Sequence, residues 1–190
     1  MNRNNLEIGI EIEFISNDYM YLFEKLKENN INFIITGNHK YSDCENLIIK
    51  PEPSVRGFEL NIPPTMTFEE LENICNIFNG HTDFTSNSAL HIHIPINDKY
   101  DCDKIYNYYY KNENTIINDA NNKGVYVDLN KSISTPSMVP IKMLNMNVYK
   151  SFETHNTVEH RIYKATFNYE DICWIINQTK EIIENALSDE

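Results

Sequence analysis

Leu6-Glu7-Ile8-Gly9-Ile10-Glu11-Ile12-Glu13-Phe14-Ile15 is the stretch whose reading decides the fold. Side chains alternate sides along a β-strand. Leu6, Ile8, Ile10, Ile12 and Phe14 therefore share one apolar face, and Glu7, Gly9, Glu11 and Glu13 share the other. A strand of this kind belongs to a sheet with one greasy side. It also sets two carboxylates, Glu11 and Glu13, about 7 Å apart at Cα on the polar side.

The same polarity returns along the chain. Asp18 to Asn30 has Tyr19, Leu22, Phe23 and Leu26 at helical spacing and ends at Asn29-Asn30. Ile31–Thr36 and Asn46–Lys50 read as two strands around the turn-rich patch Gly37–Asp43, with Pro51 and Pro53 breaking the second. Gly57–Ile62 reads as a strand stopped by Pro63-Pro64. Thr67-Phe68-Glu69-Glu70 is a capping box that starts a helix to about Asn79, with Gly80 as its stop. Ser88–Ile96 is a strand with Leu90, Ile92 and Ile94 inward and Ala89, His91 and His93 on the other side. A Tyr-rich helix follows from Asp101 to about Ala120. Residues 121–140 read as loop with a short strand, and Pro140–Asn147 as a short helix or turn. Thr157–Ala165 is a strand with Glu159 and Arg161 on one face. Asn168 caps a final helix from Tyr169 to about Leu187, with Ile172, Ile175, Ile176 and Ile183 inward. Strands that alternate in polarity point to an α+β class: an antiparallel or mixed sheet with helices packed on one face and a polar, open second face.

Composition bounds what such a chain does. Its 190 residues fit one domain over 1–190 and are enough to bury a core. The net charge of −12, from 16 Lys+Arg against 28 Asp+Glu, argues against nucleic acid and anionic membrane surfaces as partners, because both need a concentrated basic face. No segment has the apolar length of a membrane span, and Met1–Asn5 lacks the apolar core of a signal peptide. Cys44, Cys75, Cys102 and Cys173 fit no zinc spacing and read as buried thiols of a reducing cytoplasm.

The chemistry-bearing residues come in pairs on strand faces. Glu11 and Glu13 repel unless a cation or water lies between them, and a hard cation such as Mg²⁺ or Mn²⁺ takes oxygen ligands. His91 and His93 are imidazoles suited to a transition metal. Glu159 and Arg161 either pair with each other or divide between metal and phosphate. Glu59 stands alone, and Lys50, Ser54 and Arg56 just before it offer cationic or hydroxyl contacts to a phosphate or carboxylate. Each of these pairs, by itself, more often reads as an ordinary solvated face or a simple ion pair, and for Lys50, Ser54 and Arg56 the two readings are about even. The set gains weight because every member lies on a strand, or beside one, whose opposite face is apolar.

In order, Gly9-Ile10-Glu11-Ile12-Glu13-Phe14, Lys50-Pro51-Glu52-Pro53-Ser54 with Gly57-Phe58-Glu59-Leu60, Leu90-His91-Ile92-His93-Ile94, and Thr157-Val158-Glu159-His160-Arg161 ahead of a helix with Trp174 resemble the amidoligase family of carboxylate–amine ligases. These are related to glutamate–cysteine ligase and glutamine synthetase. The resemblance covers about residues 7 to 180, with a gap from roughly 97 to 140. It implies a glutamine-synthetase-like catalytic fold holding ATP and divalent metal. By it, Glu11, Glu13, Glu59, Glu159 and one or both of His91 and His93 are metal ligands. Arg161 is the phosphate-stabilising residue, and Arg161, Glu59 and Glu159 form the catalytic set. Asn145 matches loosely as a polar residue ahead of the last strand. The chain departs from the family at Ala89, where Gly is usual, at Glu52-Pro53-Ser54, at Asn61-Ile62-Pro63-Pro64, at His160 and in a shortened middle. The implied reaction joins a small-molecule or peptide carboxylate to an amine at the cost of ATP. Two other readings use the same residues: a metal-dependent phosphohydrolase or nucleotide hydrolase, and an inactive nucleotide- or peptide-binding module.

Overall fold

The computed structural model describes residues 5–38, 45–125, 146–147 and 156–188. The elements run β1 (Gly9–Phe14), α1 (Tyr19–Glu28), β2 (Phe33–Ile35), β3 (Leu47–Glu52), β4 (Gly57–Ile62), α2 (Phe68–Phe78), β5 (Ala89–Pro95), α3 (Lys99–Lys123), β6 (Met146–Asn147), β7 (Thr157–Lys164) and α4 (Tyr169–Ser188). The class is α+β with mixed strand pairing. The described residues fall into two compact units, one from 1–90 with 165–172 and the other from 91–164 with 173–190.

In the first unit the strand order is β2-β3-β4-β1. β2 and β3 are parallel, and β3–β4 and β4–β1 are antiparallel. The apolar side of β1 is the core: Ile10, Ile12 and Phe14 are all buried, together with Leu60 and Ile62 of β4. Each such side chain contributes about 1.5–3 kcal/mol on leaving water. Both helices of this unit sit on that side. Phe14 stacks on Phe58 at 5.7 Å and meets Phe78 of α2 edge-on at 5.4 Å, and Tyr19 of α1 lies 5.8 Å from Phe58. The capping box at Thr67 forms in both directions, with Glu70 N–H donating to Thr67 Oγ1 and Thr67 N–H donating to Glu70 Oε2. Gly80 takes a positive φ of 80° just past α2, as a left-handed stop requires.

Gly57 opens β4 for a steric reason. A Cβ there would lie 2.2 Å from the Phe14 carbonyl oxygen, so only glycine lets β4 approach β1 this closely. β3 does not stop before Pro51. It continues to Glu52, with Pro51 opposite Phe58 and Glu52 opposite Gly57. β2 accompanies β3 only as far as Ile49, so Pro51 sits where one side of the strand has no ladder and a missing N–H is tolerated.

In the second unit β7 lies between β5 and β6. β6 pairs antiparallel with β7, Met146 facing His160 and Asn147 facing Glu159, so these two residues form a strand and not the helix or turn expected. That pairing is set by a partner remote in sequence, which local pattern does not carry. The rest of 126–145, including the loop expected there and Asn145, lies outside the described residues, as does Cys44. α3 begins at Lys99 and not at Asp101, because Asp98 caps it by accepting from Asp101 N–H, and it runs on to Lys123, where Gly124 turns left-handed. α3 packs on β7 through Tyr109, whose hydroxyl lies 3.1 Å from His160 Nδ1. In α4, Asn168 Oδ1 accepts from Asp171 N–H as the expected cap. Among the described residues no helix is long and apolar enough to cross a membrane.

Candidate metal and phosphate site

Cross-strand pairing in the first unit builds a charged row. Glu13 of β1 stands opposite Glu59 of β4, and Glu59 stands opposite Lys50 of β3. Like charges directly opposite each other destabilise a sheet, so two facing glutamates call for a compensating cation. Lys50 provides one, with Nζ 2.8 Å from Glu59 Oε1. Asn61, on the same side of β4, donates through Nδ2 to the same oxygen at 2.8 Å. Glu11 stands opposite Asn61. Glu52, two residues beyond Lys50, completes the face and accepts from Ser54 N–H at 2.9 Å.

These side chains are not a solvated surface. Glu13, Glu59 and Lys50 are 5%, 6% and 8% exposed, so the middle of the polar face expected to be open is enclosed, while Glu11, Glu52 and Asn61 are half-buried. Enclosure has an electrostatic consequence. Burial first, and the negative charge of Glu11 second, push the Glu59 carboxyl up from 4.5 to about 7, while Lys50 and Asn61 pull it the other way. Carboxylate oxygens of Glu13, Glu52 and Glu59 all lie within 4.8 Å of one another. An oxygen-only donor set of this charge and spacing fits a hard divalent cation such as Mg²⁺ or Mn²⁺. Glu52 was no sequence candidate. Its signal was its place two residues after Lys50, on the same face, hidden by reading the prolines as the end of the strand.

Ser54 and Arg56 lie in the exposed turn between β3 and β4. Arg56 has a positive φ of 54°, with its N–H donating to the Pro53 carbonyl. Lys50 is buried against Glu59 and so sits apart in character from these two.

Within the second unit, side chains of β5 and β7 meet. His91 is buried, and its Nδ1 lies 3.5 Å from Glu159 Oε1. Arg161 Nε lies 3.4 Å from the same oxygen. Glu159 is thus shared between an imidazole and a guanidinium, the pairing alternative that the sequence offered for Glu159 and Arg161. His93 is half-buried, with Nδ1 3.5 Å from Thr157 Oγ1. The Arg161 side chain is 27% exposed, so it reaches solvent. His160, between Glu159 and Arg161 in sequence, points the opposite way into α3. It is fully buried, burial takes its pKa down to about 3, and its Nε2 has no hydrogen-bond partner.

The side chains of Cys75 and Cys102 are buried and that of Cys173 is half-buried, and burial pushes the Cys102 thiol up to about 11. No family model matches the chain, and no curated protein and no solved structure matches it significantly.

Proposed function

We propose that the chain is an ATP- and divalent-metal-dependent carboxylate–amine ligase with a glutamine-synthetase-like catalytic fold, working in the cytoplasm. The observation that carries the reading is the trio of buried Glu13 and Glu59 with half-buried Glu52, whose oxygens lie within 4.8 Å of one another on paired strands. Buried carboxylates this close are costly without a cation. The ordered motifs around Glu11, Glu59, His91 and Glu159 add the resemblance to amidoligases.

In this reading Glu13, Glu52 and Glu59, with Glu11 beside them, hold Mg²⁺ or Mn²⁺ in the first unit, and Glu159 with His91 or His93 serves as a ligand set in the second. When bound, the metal neutralises charge on phosphate oxygens. Arg161 donates to the phosphoryl group being transferred. Lys50 holds the charge balance of the glutamates, and Ser54 and Arg56 reach the nucleotide. A carboxylate oxygen of a small molecule or peptide attacks the γ-phosphorus of ATP, and the bond to the ADP oxygen breaks. An amine then attacks the acyl phosphate carbon, and phosphate leaves as the amide forms. No protein nucleophile takes part.

The test is ADP release from the full chain with ATP, Mn²⁺ and panels of carboxylates and amines. Release that needs both acceptors supports the reading, and Arg161→Ala lowers it by about 10²–10³-fold. Phosphate release that ignores the amine makes the protein a hydrolase instead. ATP binding by calorimetry with no turnover makes it a binding module.

A further inference from the structure

Glu13 has a second partner. Its Oε2 accepts the backbone N–H of Ala89 at 3.0 Å, and both residues are buried. Ala89 is the first residue of β5, the strand on which His91 and His93 stand two and four residues further on. A buried backbone N–H has to be paired, and here a side chain from β1, 76 residues away in sequence, does it. The approach to β5 is pinned as well: Thr85 N–H donates to Ser88 Oγ at 3.0 Å, and Ala165 N–H donates to the Ser88 carbonyl at 3.4 Å.

We infer that Glu13 is a positioning residue that sets where β5 begins, and thereby the placing of His91 and His93. A one-residue slip of this strand turns both histidines to its other face, so its starting point matters. The importance of the histidines rests on the ligase reading above; the anchoring of the strand does not. The anchor needs an acceptor oxygen and no negative charge, which separates it from any service of Glu13 to a cation. Glu13→Gln keeps an acceptor and loses the charge, whereas Glu13→Ala loses both. Ala89→Pro removes the donor and leaves Glu13 intact, at a strand-opening position where proline is tolerated.

The experiment is amide hydrogen exchange at Ala89, with the imidazole NMR signals of His91 and His93, in the metal-free full chain. Loss of a buried hydrogen bond to a charged acceptor corresponds to about 10- to 100-fold faster exchange. Glu13→Ala should show that acceleration and shifted histidine signals. Glu13→Gln should keep both near those of the parent protein. Ala89→Pro should shift the histidines as Glu13→Ala does, which preserves the test should Glu13→Ala fail to fold. Parent-like exchange in Glu13→Ala, exchange in Glu13→Gln as fast as in Glu13→Ala, or unshifted histidines in Ala89→Pro each overturn the inference. None of these readings uses turnover, so a parent protein that releases no ADP sinks the ligase reading and leaves this one standing or falling by itself.

Discussion

Replacing Glu59 by glutamine should stabilise the metal-free protein at pH 8 and leave it unchanged near pH 4.5. Glu59 is raised from 4.5 to about 7 on folding, chiefly by burial and then by Glu11. A carboxyl whose folded pKa lies above its unfolded value favours the native state fully below the unfolded pKa. That contribution is lost as pH rises from 4.5 to about 7. The shift corresponds to about 3 kcal/mol. Glutamine imitates the protonated carboxyl: it is neutral, and its oxygen can still accept from Lys50 and Asn61. The variant should therefore be more stable than the parent by about 3 kcal/mol at pH 8, with the gap closing as pH falls through 7 toward 4.5. His160 acts in the opposite sense. Its pKa falls to about 3 on burial, so folding loses stability as pH drops below 6.5. Both proteins keep His160, and their difference cancels it. Urea unfolding of the two chains in EDTA at several pH values reads the gap. Adding Mn²⁺ at pH 8 should reverse its sign, because ligand binding stabilises only the chain that binds. A gap independent of pH, or a glutamine variant weaker at every pH, would refute the account of Glu59 as a buried, charge-strained cation ligand.

Other outcomes follow from the packing. Gly57→Ala places a Cβ 2.2 Å from the Phe14 carbonyl oxygen, so β4 must move off β1; thermal or urea melting should show a loss of about 1–3 kcal/mol. Tyr109→Phe removes the hydroxyl that meets His160 Nδ1 at 3.1 Å, in a place water does not reach, and should cost about 1–3 kcal/mol by the same measurement.

The elements were legible where the signal was local. β4 has the bounds that Gly57 and Pro63 imply, α2 starts where its capping box lies, and β1 buries the face its alternation marks. Pairing was not legible. The parallel union of β2 with β3, the passage of β3 through Pro51 and the strand at Met146–Asn147 depend on neighbours far away in sequence. The charged residues were found by sequence as a set, with Glu52 left out because its strand was read two residues too short, ending at Lys50.

What the sequence determined by itself was which side chains share a face. The periods of two and 3.6 residues follow from backbone geometry and need no partner. What only the tertiary structure decided was whether those faces are wet. Glu11 and Glu13 on one strand suit a solvated surface; Glu13 opposite Glu59, Glu59 opposite Lys50 and all three enclosed make a charged interior. Burial is a property of what packs around a strand, and the pKa of Glu59 and the hold of Glu13 on Ala89 arise from that packing.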